Sequence, residues 1–142
     1  MRTLDCFLPM ALGAVALLPT SAGAASACPA KDFKGFLAAF MDSPAVQKAH
    51  VSIPLSSTTV DADAQPEPAP RERKLGARDI VYPLMPAKAR RAKDGLTTTI
   101  KTVSATQTEV KLAQSDTGYQ MRYLFSKTAN CWTLARVSDD SL

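Results

Sequence analysis

The chain has 142 residues, a formal net charge of +4, one histidine and three cysteines. That length suits one domain with a modest core, and so mild a basicity favours anionic partners only weakly. A single histidine with so few thiols nearly excludes a zinc site built from His and Cys, and the six glycines are too scattered for a phosphate loop.

The N-terminus, "MRTLDCFLPMALGAVALLPTSAGAASACPA", has the form of a secretory signal peptide over residues 1–24. Arg2 opens it, Cys6 to Leu18 form the apolar run, and small residues follow. A membrane span needs about 20 apolar residues, so this run is too short, and the rest of the chain has no better candidate. Ala22-Gly23-Ala24 and Ala25-Ser26-Ala27 compete as cleavage motifs. The second would make Cys28 the mature N-terminus and raise the alternative of a lipoprotein anchored through Cys28, although Ala25 stands where such signals carry Leu, Val or Ile. The expected destination is the periplasm or the medium, where nucleic acid is not a natural partner.

Removing Cys6 with the signal leaves Cys28 and Cys131, in a compartment where disulfides persist. The expectation is a Cys28–Cys131 bridge, with lipidation of Cys28 or two free thiols as the alternatives. The remaining residues, 25–142, read as a single α+β domain.

Phe33, Phe36, Leu37 and Phe40 recur at the helical period and predict an amphipathic helix. Ser43-Pro44 supplies an N-cap and a first-turn proline for a second, short helix ending near His50. "VSIPL" reads as extended, with Pro54 barring a central hydrogen-bonded position. Residues 56–74 lack an apolar period, are rich in Pro, Ala and charge, and read as a mobile loop. A brief helix follows Pro86, bears Lys88, Arg90, Arg91 and Lys93, and is terminated by Gly95.

Four β-rich runs follow: "LTTTIKTVSA", "TEVKLAQ", "YQMRYLFSK" and "CWTLARV". Tyr119, Met121, Tyr123 and Phe125 alternate with polar residues, which gives that strand one apolar face. The short connections predict antiparallel neighbours, hence a meander of about four strands with the first helix on its apolar face.

The segments "FKGFLAAF", "VQKAHVSIPL" and "IVYPLMPAKARRAKDGL", with the closing "YLF" and "CW.L", resemble an exported bacterial family of a domain of unknown function. The resemblance runs from about Phe33 to Leu142 and rests on packing residues; the Pro-rich stretch before Leu75 has no counterpart in it. It implies the cone-shaped α+β fold named for nuclear transport factor two, close to the cystatin-like class, in which a curved sheet wraps a helix and leaves a pocket. That family brings no reaction, and enzymes and binding modules both use the fold.

His50 reads as a general base near neutral pH or, more simply, as a helix-end residue suited to the helix dipole. The cluster Lys88, Arg90, Arg91 and Lys93 is either a solvated helix face or a dock for an anionic surface. Tyr82, Tyr119, Tyr123 and Trp132 are core residues or the lining of a pocket. Asp139 is a candidate partner for Arg122 or for the first helix. No "GxSxG" elbow or paired-carboxylate arrangement stands out.

The reading with most support is a non-catalytic exported module that binds a protein or small ligand in the cell envelope, with no cofactor, no metal and no nucleic acid. A homodimer through the sheet face is a candidate assembly. The alternatives are an immunity or inhibitor protein against a periplasmic toxin, and an enzyme using a pocket His50 or Asp139.

Overall fold

In a computed structural model, residues 26–142 are described. The expected signal peptide lies outside the described residues. The elements run α1 (Phe33–Asp42), α2 (Pro44–Ala49), β1 (Val51–Asp61), β2 (Ala69–Leu75), α3 (Lys88–Lys93), β3 (Leu96–Ser104), β4 (Gln107–Gln114), β5 (Gln120–Lys127) and β6 (Trp132–Asp139).

The Asp32 side chain caps α1 by accepting from Gly35 N–H, and Ser43 caps α2 by accepting from Val46 N–H, with Pro44 in the first turn. These caps separate two helices that the chain would otherwise run together. Gly95, at φ +63°, turns the chain out of α3, a conformation that a side chain would strain. The backbone N–H of Lys88, at the start of α3, donates to the Asp42 carboxylate at 2.7 Å, which ties α3 to the end of α1.

All six strands form one sheet in the order β2-β1-β6-β5-β4-β3. The last four make the expected antiparallel meander. The count of about four strands falls short, and the sheet is mixed, because β1 lies parallel to β6 and β2 pairs antiparallel with β1. The stretch 56–74, expected as a loop, supplies most of this additional hairpin, with register from Leu55↔Leu75 to Asp61↔Ala69. Only its base is anchored in the core, through buried Leu55 and half-buried Leu75. Farther out, backbone pairing, an Arg71–Asp61 ion pair at 2.7 Å and a Lys74–Ser56 hydrogen bond at 2.6 Å hold it. A hairpin that buries so little apolar surface needs no apolar period. Pro54, expected to avoid a central ladder position, falls in the irregularity between Val51 and Ser56 where β1 loses register with β6.

The helices cover one face of the sheet. Phe33, Phe36 and Phe40 of α1 meet the Phe125 ring of β5 at centroid distances of 5.5, 5.9 and 5.1 Å, all edge-on. Edge-to-face contacts of this kind suit the ring quadrupoles and add to the burial of the rings. Val110, Leu112, Tyr123, Leu134 and Val137 complete the core from the sheet side. The opposite face is polar: Lys101, Glu109, Lys111, Arg122 and Arg136 line its shallow depressions.

Cys28 and Cys131 form a disulfide across 103 residues. It ties the segment before α1 to the residue preceding β6, closing the chain around the core.

Candidate functional site

A groove of about 950 Å³ opens on the helix-covered side of the sheet, beyond the Phe cluster. Its floor is Tyr119, Met121 and Tyr123 of the β5 run, which share one face because side chains alternate along a strand. Gln114 and Leu96, in register with each other on β4 and β3, close one side. Pro83, Leu84, Pro86 and Ala87 form the wall opposite, and Arg90, Lys93 and Asp94 form the rim.

The wall is a loop, and polar side chains of the core fix it. Gln47 of α2 is fully buried. Its Oε1 accepts from Leu84 N–H at 2.5 Å and from Met85 N–H at 3.3 Å, while its Nε2 donates to Met85 C=O at 3.0 Å. The Tyr123 hydroxyl donates to Leu84 C=O at 3.0 Å. Both polar groups of the Leu84 peptide unit are thereby satisfied by side chains, so the wall is held without secondary structure.

Charge at the site is uneven. Arg90 is tied to Asp94 one turn along, and this hydrogen-bonded pairing raises the guanidinium pKa further. Lys93 makes none of the ion pairs found among the described residues. Burial pushes the Tyr123 hydroxyl far above the ordinary tyrosine range, with smaller contributions from Tyr119 and Asp139. Tyr119 is raised by burial first, then by the charges of Asp139 and Asp94. At neutral pH both hydroxyls are therefore neutral hydrogen-bonding groups, not bases.

Of the residues singled out from sequence, Arg90, Lys93, Tyr119 and Tyr123 come together here. The others go elsewhere. Lys88 faces a shallow depression with Asp42 on the far side of α3, and Arg91 donates to Pro86 C=O at 2.6 Å. Tyr82 packs half-buried against the core, and burial raises its pKa. Trp132 is core, edge-on to Phe33 and tilted against Phe36. His50 is buried at the end of α2, edge-on to Phe36, with Nδ1 3.7 Å from Cys131 Sγ. It packs against the disulfide and is not part of the groove lining.

Asp139 does not hold Arg122. Arg122 lies on the polar outer face, bonded to both oxygens of Asp140 and 3.6 Å from Glu109. Adjacent strand residues face opposite sides, so Asp140 and not Asp139 can reach it. Sequence reasoning also missed Gln47, Leu84, Met121 and Gln114. Met121 was legible from the alternation; Gln47 carries no local signal, because its partners lie 37 and 38 residues away.

Among the described residues no group of three or more His, Cys, Asp and Glu side chains is arranged to hold a metal ion, and no helix is long and apolar enough to cross a membrane.

This arrangement, a mixed sheet with helices on one face, is similar to that of a solved structure. An NTF2-like protein from Bacteroides fragilis NCTC 9343 superposes with a TM-score of 0.58 over 78% of this chain, at 19% identity. The fold is NTF2-like. The chain spans about half of that protein, 47% of its length, and the likeness shows the fold alone. A de novo designed protein from a set with diverse pocket structures aligns over 72% of this chain and 89% of its own, at 10% identity and a TM-score of 0.31. No family model matches the chain, and no curated protein does.

Proposed function

We propose that the chain is a non-catalytic binding module of the NTF2-like fold whose groove takes an amphipathic anion. The apolar body of the ligand rests on Leu84, Leu96, Met121 and the tyrosine rings, and its acidic head lies toward Lys93 and Gln114. The observation that carries this reading is a groove lined by apolar and polar groups together, with a cation at its rim, Lys93, that makes none of the ion pairs among the described residues. A groove near 950 Å³ falls within the range of small-molecule sites, about 300–1,000 Å³. Neutral Tyr119 and Tyr123 suit hydrogen bonding better than proton abstraction, and His50 is committed to the core.

We also propose that the chain works as an exported, soluble protein. The N-terminal sequence supports export, and a persistent disulfide fits an oxidising compartment. The bridge occupies the sulfur that a lipid anchor would acylate.

The test is fluorescence of anilinonaphthalene sulfonate with the purified chain, followed by displacement with dodecanoate. Saturable binding at one site, displaced by dodecanoate and weakened by Lys93→Glu and by Met121→Arg, is the expected result. Indifference to both substitutions, or no binding of either anion, would overturn the reading.

A further inference from the structure

The two edges of the sheet are built differently. The β2 edge is guarded: Pro70 removes a backbone donor, and Arg71, Glu72, Arg73 and Lys74 follow it in sequence, all exposed. Prolines and consecutive charges are how proteins keep an open strand from pairing with another chain. The β3 edge carries neither proline nor consecutive charges, and its one irregularity lies at its end, between Thr102 and Ser104. It is nine residues long and rich in β-branched residues. Every residue from Thr97 to Ser104 is exposed, including Ile100 at 45% and Val103 at 50%, so neither α3 nor a loop covers it. Lys101 is its one charge.

We propose that the β3 edge pairs antiparallel with β3 of a second copy of this chain, extending the sheet across a two-fold axis. Self-pairing is favoured over capture of an unrelated strand because the sequence of β3 is complementary to itself, most evidently in the register that sets Ile100 against Ile100. An axis at Ile100 pairs the regular stretch Thr98–Thr102 with its copy and leaves the irregularity between Thr102 and Ser104 outside the ladder. In that register Ile100 meets Ile100, Thr98 meets Thr102, and Lys101 meets Thr99. Apolar and β-branched pairs are favourable directly opposite, and the two lysines avoid each other. A slip that centres the pairing on residue 101 would set lysine against lysine; the even parity that keeps both inner faces on one side excludes single-residue slips. An isologous contact of this kind closes on itself and does not propagate. The pairing is independent of the groove, and because a strand edge alone buries little surface, the dimer dissociates on dilution.

Sedimentation of the full chain across a dilution series tests this, with Thr99→Lys and Thr99→Glu as the register probes. Thr99 and Lys101 both lie on the polar outer face, so neither change disturbs the core. A reversible dimer is expected. Thr99→Lys sets like charges opposite at two symmetric places and should weaken it about tenfold, while Thr99→Glu should tighten it in a salt-sensitive way. Circular dichroism of the two variants at low concentration should match that of the parent. A chain that remains monomeric throughout, a dimer that ignores both substitutions, or protection of the β3 amides only on adding an unrelated peptide would each overturn the proposal.

Discussion

The side chain of Gln47 and the peptide groups of Met85 exchange two hydrogen bonds, Nε2 to C=O at 3.0 Å and N–H to Oε1 at 3.3 Å. A buried amide thus does for the 80–87 loop what a neighbouring strand would do, and the wall of the groove depends on it. Replacing Gln47 with Met keeps the volume but leaves buried backbone groups of Leu84 and Met85 without partners. Urea unfolding should show a loss of about 3 kcal/mol, and dodecanoate binding should weaken even where the variant is folded.

Tyr123 holds the same loop from the sheet side, and its raised pKa has a definite pH signature. An unfolded tyrosine releases its proton near pH 10, whereas the buried one keeps it. Stability from this group is therefore full below about pH 10 and lost progressively as the pH rises above it. Tyr123→Phe should cost about 1 kcal/mol at neutral pH, and its disadvantage should shrink between pH 9 and about 11 in paired urea titrations. A constant difference across that range would contradict the account.

Much of this architecture is legible in the sequence because it is periodic. The Phe stripe of α1, the Ser43-Pro44 boundary and the alternation from Tyr119 to Phe125 each state a face or an end. The β1–β2 hairpin is not legible, since beyond Leu55 and Leu75 it buries too little to impose alternation. The tyrosines and basic residues of the groove were visible as candidates, but their grouping was not. Which of them converge depends on where the 80–87 loop is clamped, and that is decided by Gln47, a polar residue on a six-residue helix.

The Cys28–Cys131 bridge closes a loop with a sequence separation of 103. On the chain-entropy account a loop of this length contributes about 4.7 kcal/mol, mainly by constraining the unfolded chain. Reduction, or the paired change of both cysteines to Ser, should lower the urea midpoint by a corresponding amount while leaving the circular dichroism of the folded state unchanged. Unaltered stability after reduction would show that the bridge constrains nothing.

On the outer face, hydrogen bonding to Arg122 holds the Asp140 carboxyl below the usual carboxylate range, against the opposing effect of burial. Because the folded value is the lower one, the pair stabilises above about pH 4 and the contribution is lost as the pH falls through the folded value. Arg122 is 43% exposed, so solvent screening keeps the effect under about 1 kcal/mol. Asp140→Asn should shift acid unfolding only slightly and leave stability at pH 3 nearly unchanged.

Amide chemical-shift mapping during a dodecanoate titration tests most directly whether the groove holds an amphipathic anion. The account predicts saturating shifts at Leu84, Leu96, Gln114, Tyr119 and Met121, with little change at Lys101, Glu109 or Arg122 on the outer face, and loss of the response in Met121→Arg. Shifts confined to the outer face, or none at any residue of the groove, would contradict it.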